Sequence, residues 1–188
     1  MKKITAPILY IALLLPAFSY AAPELILTWK AASYVPETYT GKALPAAGTP
    51  IDASAILVDN GKVISLAPYT VNWYAGEDRI AGGAGTASVR VLAPITGQDE
   101  LELRVNIGKY EDQPLDAFIT IPVVRPEILM LRKAGTQRNS FSVIPYFWNI
   151  LTPDELTIAW SESGGGITAT ATNKKNEMEF AQMSAPKQ

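Results

Sequence analysis

Alternation of apolar and polar residues is the feature that most narrows the folds open to this chain. From Leu101 to Ile107 every second residue is apolar, and Glu, Arg and Asn stand between them. A period of two places the apolar side chains on one face of a β-strand. No window keeps the i, i+3, i+4, i+7 spacing of an amphipathic helix for three turns, and 14 prolines and 13 glycines interrupt the chain. The sequence therefore predicts an all-β protein.

Several other segments before residue 125 carry strand patterns separated by turn residues. Asn60-Gly61 is the strongest turn dipeptide, and it predicts a hairpin between the strands on either side. The segment Tyr34–Pro50 is rich in Pro, Gly, Thr and Ala, which predicts a long ordered loop. The expected strands are Leu25–Trp29, Ile51–Val58, Lys62–Leu66, Tyr69–Tyr74, Thr86–Leu92, Leu101–Ile107 and Phe118–Val124.

A boundary is predicted at Pro122–Pro126, where two prolines stiffen the chain before strand patterns begin again. A polar stretch, Thr168–Asn176, is expected to separate the last two of these later strands. One helical turn at most is expected at Asp154–Leu156, after Pro153. The later strands are predicted at Ile128–Leu131, Phe141–Ile144, Tyr146–Trp148, Leu156–Trp160 and Met178–Phe180.

The first 21 residues have the three-part pattern of a secretory signal peptide. Lys2 and Lys3 precede an apolar run, Ile4–Phe18, and small residues allow cleavage after Ala21. The run is shorter than the ~20 apolar residues of a membrane-spanning helix, and no later segment is long and apolar enough. We therefore expect a signal peptide at 1–21 and a mature chain that is secreted, periplasmic or at the cell surface, without membrane insertion.

Composition excludes several functions. The chain has no cysteine and no histidine, which removes the Ser-His-Asp triad, the cysteine nucleophile and thiolate or imidazole metal sites. The sixteen basic residues include Lys2 and Lys3, so the mature chain keeps fourteen against eighteen acidic residues, a formal charge of −4. That balance disfavours nucleic acid as a partner. No cofactor is expected.

Candidate catalytic groups are weak. Four acidic doublets, at residues 77–78, 99–100, 111–112 and 154–155, fall at predicted turns, where solvated carboxylates are ordinary. A carboxylate hydrolase or a calcium site remains open only as a minor alternative. Ser184 and Lys187 match a Ser-x-x-Lys spacing, but Pro186 stands between them. Gly82–Gly85 lacks the residues of a phosphate-binding loop and is expected to form a turn. We expect a protein without enzymatic activity.

A short internal repeat links the two halves of the chain. Tyr69–Trp73 and Leu156–Trp160 each have Thr, a β-branched residue, a small or polar residue and then Trp. A glycine cluster follows each of them, Gly82–Gly85 in the first case and Gly164–Gly166 in the second. The match predicts a duplicated strand-and-turn unit.

These two segments resemble the third strand of an immunoglobulin-like sandwich, whose Trp packs between two sheets. The mature chain resembles the tandem immunoglobulin-like modules of bacterial secreted and surface proteins, related loosely to invasin-type and PKD-type repeats. The resemblance implies an antiparallel β-sandwich at 22–125, a second, incomplete sandwich at 126–188, and buried Trp73 and Trp160. The cysteine pair of antibody domains and the aromatic-Gly-Asp-Gly signature of PKD repeats are both absent.

Two functions follow as expectations. The first is a structural or adhesive module that mediates protein interactions. Its second sandwich is incomplete either because the chain is truncated or because another molecule completes it, and in the latter case its strand edges are open to pairing. The second is a carbohydrate-binding module that uses aromatic rings. The possible interaction surface comprises Tyr146, Trp148 and Tyr74. Tyr146 and Trp148 are expected on one face of a strand and Phe147 on the other. Tyr34 and Tyr39 are weaker surface candidates.

Overall fold

The chain is all β, with antiparallel pairing between its strands. The computed structural model describes residues 22–95, 98–132, 139–162, 169–173 and 177–180, and side chains at 139, 140 and from 160 onward lie outside the description. The predicted signal peptide at 1–21 is also outside it. The described strands are β1 Glu24–Ala31, β2 Pro50–Asp59, β3 Lys62–Ile64, β4 Thr70–Ala75, β5 Asp78–Ala84, β6 Ser88–Leu92, β7 Glu100–Tyr110, β8 Gln113–Pro122, β9 Glu127–Arg132, β10 Asn139–Tyr146, β11 Ile158–Glu162, β12 Ala169–Asn173 and β13 Glu177–Phe180.

Two sheets form the part of the chain before residue 123. In the first sheet β2 pairs with β1 on one edge, and with β3 and β6 along the other. The second sheet has the order β5-β4-β7-β8. β1 and β8 lie next to each other at one side of the assembly. A 3₁₀ turn at Pro153–Glu155 agrees with the single helical turn that the sequence predicted.

The core lies between these two sheets, because the period-two pattern turns alternate side chains inward. Apolar residues of both sheets form one buried cluster. The alternating faces predicted for β2 and β7 are confirmed. Their buried residues, together with those of β4, are Ile51, Ala53, Ala55, Leu57, Val71, Trp73, Leu101, Leu103, Val105, Ile107 and Tyr110.

Tight turns close the hairpins of both sheets. Asn60 and Gly61 have φ values of 47° and 73°, the left-handed conformation that a two-residue hairpin turn requires. They join β2 to β3, which confirms the predicted hairpin. The acidic doublet Glu111-Asp112 has the same conformation, with φ values of 46° and 67°, and joins β7 to β8.

The glycine cluster Gly82–Gly85 was predicted as a turn, and this is wrong for its first three residues, which belong to a strand. Gly82 and Gly83 lie inside β5, a strand that the sequence pattern did not indicate. Glycine has low strand propensity, but the missing side chain has a use here. A Cβ on Gly82 would lie 2.6 Å from Oδ1 of Asn72 and would collide with the guanidinium of Arg79. Only Gly85, with φ of 70°, lies in the turn.

The later part of the chain forms two smaller sheets, one with the order β13-β10-β9 and the other made of β11 and β12. The polar stretch Thr168–Asn176 was expected to separate two strands, but it contains a strand of its own, β12. Its sequence, Ala-Thr-Ala-Thr-Asn, alternates Ala with Thr, a β-branched residue that favours strands. The second glycine cluster, Gly164–Gly166, lies outside the described residues.

Candidate functional site

The outer strand of the three-stranded sheet exposes an apolar run on both of its faces. All six residues of β9 are exposed. Ile128, Leu129, Met130 and Leu131 are 54%, 45%, 58% and 43% exposed, although a large apolar side chain usually finds cover in a folded protein. One edge of β9 pairs with β10 over the full strand, from Glu127 opposite Tyr146 to Arg132 opposite Phe141.

The other edge of β9 has no partner strand among the described residues. An edge strand presents a row of backbone N–H and C=O groups, and a second strand can bond to them. Proteins usually protect such an edge with charged side chains or proline. Here charges stand only at the two ends, Glu127 and Arg132, with four apolar residues between them. We call this strand and its unpaired side the β9 edge.

The predicted aromatic surface residues Tyr146 and Trp148 contact the loop between β1 and β2. The ring of Tyr39 in that loop lies edge-on to Tyr146 and Phe147, with ring centroids 5.9 and 5.7 Å away. Tyr34 and the 147–148 segment exchange two backbone hydrogen bonds of 2.8 Å. We call Tyr34, Tyr39 and residues 146–148 the aromatic junction.

The predicted alternation of Tyr146, Phe147 and Trp148 on two strand faces is wrong. β10 ends at Tyr146, and Phe147 has φ of 60°, a left-handed conformation that is rare for an aromatic residue. This turn of the backbone lets both the Tyr146 and the Phe147 rings pack on Tyr39. Trp148 then donates its indole N–H to the carbonyl of Glu127 at 3.0 Å.

Tyr74 belongs to a different surface. It lies on β4, opposite Arg104 of β7, on the face of the second sheet that points away from the core. The guanidinium carbon of Arg104 is 4.3 Å from the centroid of the Tyr74 ring, which is a cation–π contact. The structure therefore brings Tyr146 and Trp148 to one junction and gives Tyr74 a separate partner.

The first of the two predicted core tryptophans lies between the two sheets. Trp73 is completely buried, and its indole N–H donates to the carbonyl of Thr86 at 2.8 Å. That bond satisfies the one polar group of a side chain that the two sheets otherwise enclose. Trp160 lies in β11, but its side chain is outside the described residues.

In the described part of the chain, two of the four acidic doublets, Glu77-Asp78 and Asp99-Glu100, line one depression of about 740 Å³. No group of three or more acidic residues in that part of the chain has a geometry that would hold a metal ion. Two hydrogen bonds from Arg90, at 2.7 and 2.9 Å, lower the pKa of Asp52 on the neighbouring strand. The hydroxyl of Tyr110 donates to Asp59 at 2.9 Å. This bond, then burial, then the charge of Asp59 raise the pKa of Tyr110 to about 12. These pairs hold strands together.

Sequence reasoning did not single out the β9 edge or Phe118 as functional. Phe118 is 71% exposed on the outer face of β8, between Asp116 and Thr120. An aromatic residue at a polar position of an alternating strand is the signal that would have found it. Four adjacent apolar residues, as in β9, are typical of a strand that is covered on both faces. The sequence therefore gives no sign that this strand is exposed.

Comparison of the chain with protein-family models, curated proteins and solved structures found no match. Among the described residues, no helix is long and apolar enough to cross a membrane. The fold therefore defines a class of protein. It is an all-β protein with antiparallel sheets, two of which enclose the core.

Proposed function

We propose that this protein is a non-enzymatic, immunoglobulin-like structural or adhesive module that works outside the cytoplasm and binds protein partners by pairing strands. The order of the strands supports the immunoglobulin-like assignment. The sheet of β1, β2, β3 and β6 faces the sheet β5-β4-β7-β8, and the buried Trp73 lies on β4, the first strand of the second sheet in chain order. Immunoglobulin-like sandwiches place their core Trp at the corresponding strand.

The β9 edge is the observation that carries the proposed interaction. Strand addition needs free backbone groups along an edge and side chains that a partner strand can cover. The β9 edge has both, since its four apolar residues expose 43–58% of their surface beside an unpaired edge in the described part of the chain. Covering them removes apolar surface from water, which favours association.

The partner proposed is a second copy of the chain, with the two β9 strands antiparallel. A twofold axis through such a pair requires one residue to face its own copy. If that residue is Met130, Leu129 faces Leu131 of the second copy, so apolar side chains meet apolar ones.

Sedimentation velocity over a wide range of concentrations tests this pairing on the mature chain. Met130→Lys would place two ammonium groups near each other at the axis, and like charges across an interface are strongly unfavourable. We expect the dimer to dissociate at concentrations at least about tenfold higher than for the unmodified chain. Val63→Lys is the matched control, because Val63 is 75% exposed on β3 of another sheet.

Two results would contradict the pairing. One is a monomer at every concentration, and the other is equal self-association of the Met130→Lys and Val63→Lys variants. A monomer that binds a different protein through β9 would still support strand addition, but the partner would then be that protein and not a second copy of the chain.

The proposed location rests on the signal-peptide pattern of the first 21 residues. Expression of the full chain in a bacterium with an export pathway should yield a product that begins at Ala22. The mass of the intact product measures this directly. A product that keeps Met1 and stays in the cytoplasm would contradict export.

A further inference from the structure

A shallow depression of about 400 Å³ lies on the outer face of the second sheet, which does not include β9. Its floor is formed by two neighbouring strands, β7 and β8, and one wall is the turn between β4 and β5. That volume lies within the range of small-ligand sites. The residues around it are Gly76, Glu77, Glu102, Leu103, Arg104, Phe118, Ile119 and Thr120.

Four side chains on the floor form a compact arrangement of different chemical groups. Arg104 stands opposite Phe118, and Glu102 stands opposite Thr120, on adjacent strands. Cross-strand neighbours lie about 5 Å apart, and residues two apart along a strand about 7 Å apart. A guanidinium, a carboxylate, a hydroxyl and an aromatic ring therefore surround an area comparable with a single sugar ring.

The guanidinium of Arg104 is held in place before any ligand binds. It stacks on the Tyr74 ring, and it has no carboxylate partner among the described ion pairs. Its Nε is buried without a hydrogen-bond partner. The two terminal nitrogens, Nη1 and Nη2, are therefore the atoms that can donate hydrogen bonds to a ligand. A buried N–H without a partner calls for a functional or structural explanation. Fixing a donor in advance reduces the entropy that binding costs.

Phe118 supplies the apolar half of the site. Its ring is 71% exposed on a face where its neighbours along β8, Asp116 and Thr120, are polar. No other described residue covers this exposed part of the ring. A sugar ring has an apolar face of C–H groups that stacks on an aromatic ring, while its hydroxyls both donate and accept hydrogen bonds.

We propose that this depression binds a neutral sugar unit of a glycan. The C–H face would stack on Phe118, the hydroxyls would donate to Glu102 and accept from Arg104, and Thr120 would do either. An anionic sugar fits less well, because the carboxylates of Glu77 and Glu102 outnumber the single guanidinium. Tyr74 then acts as a positioning residue for Arg104, since its ring face is already occupied by the guanidinium.

Calorimetric titration of the mature protein with neutral gluco-oligosaccharides and N-acetylglucosamine oligomers tests the proposal. Phe118→Ala should weaken binding by about tenfold or more, as expected for removal of a central aromatic anchor. Phe118→Tyr keeps the ring and should restore most of the affinity. Val63→Ala removes an equally exposed apolar side chain from another sheet and should change nothing. Because Phe118 is exposed, folding of the variants is not at risk.

The same titration with an oligouronate and with a lysine-rich peptide decides the ligand class. Preference for either over the neutral oligosaccharides overturns the proposal, as does binding that Phe118→Ala leaves unchanged or the absence of binding to every neutral oligosaccharide. Arg104→Lys keeps the positive charge but loses the planar guanidinium and its fixed set of N–H donors. A loss of affinity in this variant, with an unchanged β9-dependent self-association, would place the effect in the depression.

Discussion

Replacing Trp73 by alanine should remove at least about a third of the free energy of unfolding. The side chain is fully buried, and truncating a buried Trp costs about 3–5 kcal/mol because the space it leaves fills only in part. The variant also loses the 2.8 Å hydrogen bond from the indole to the carbonyl of Thr86, worth about 0.5–1.5 kcal/mol. The expected loss is about 4–6 kcal/mol, against a total of about 5–15 kcal/mol for a typical protein.

Urea unfolding followed by far-ultraviolet circular dichroism measures this loss, since the signal does not depend on the tryptophan removed. The midpoint should fall while the dependence on urea concentration stays the same. Trp73→Phe keeps an aromatic ring but leaves the Thr86 carbonyl without its donor. It should cost less, about 1–3 kcal/mol.

Trp29→Ala is the matched control. Trp29 lies on β1 in the other sheet, is only partly buried, and has the ammonium of Lys42 3.5 Å from its ring centroid. Its truncation should cost about 1–2 kcal/mol, because less apolar surface is lost from the core. If Trp73→Ala destabilises the protein no more than Trp29→Ala does, Trp73 is not the central contact between the sheets and the reasoning fails.

Three further predictions concern stability and the aromatic junction. Tyr110 has a pKa raised from 10.0 to about 12, so its bond to Asp59 stabilises the fold fully below about pH 10 and is lost as the pH rises through 12. Tyr110→Phe should show a smaller loss of stability over that range, and parallel pH profiles would refute this. Gly85→Ala should destabilise by about 1–2 kcal/mol, since its φ is 70° and an added Cβ would lie 3.2 Å from Ala67, whereas Gly108→Ala should be nearly neutral in thermal unfolding. Tyr39→Ala should speed proteolysis between residues 122 and 127, and Tyr39→Phe should not; equal rates would show that the rings do not hold the junction.

The strands and their buried faces could be predicted because the information is local. In β7 apolar inward residues alternate with polar outward residues from Glu100 to Ile107, and in β2 the residues from Ile51 to Leu57 that face inward are all apolar. The sequence pattern alone therefore predicts which side chains are buried. The Asn60-Gly61 turn is equally local, because two adjacent left-handed residues close it. The sequence of β5, Asp-Arg-Ile-Ala-Gly-Gly-Ala, carries no such pattern, and pairing with β4 decides its structure.

The candidate surfaces depend on contacts between distant residues, and for that reason the sequence indicated them only in part. Tyr39 and Tyr146 are more than a hundred positions apart, and only the loop after β1 brings their rings within 5.9 Å. The alternation across residues 146–148 failed because Phe147 takes a left-handed backbone conformation that no local signal required. Exposure of the β9 edge likewise depends on which strands cover it.

Cysteine cross-linking tests strand pairing at β9 most directly, and the absence of native cysteines makes it clean. Single variants Ile128→Cys, Leu129→Cys, Met130→Cys and Leu131→Cys would be oxidised mildly and compared with Val63→Cys. In an antiparallel pair about a twofold axis, one central position has its own copy opposite, with Cβ atoms about 4.5–5.5 Å apart, close to disulfide distance. We predict that Met130→Cys or Leu129→Cys forms disulfide-linked dimers far faster than the other variants. Equal, slow cross-linking at all five positions would contradict pairing through this strand.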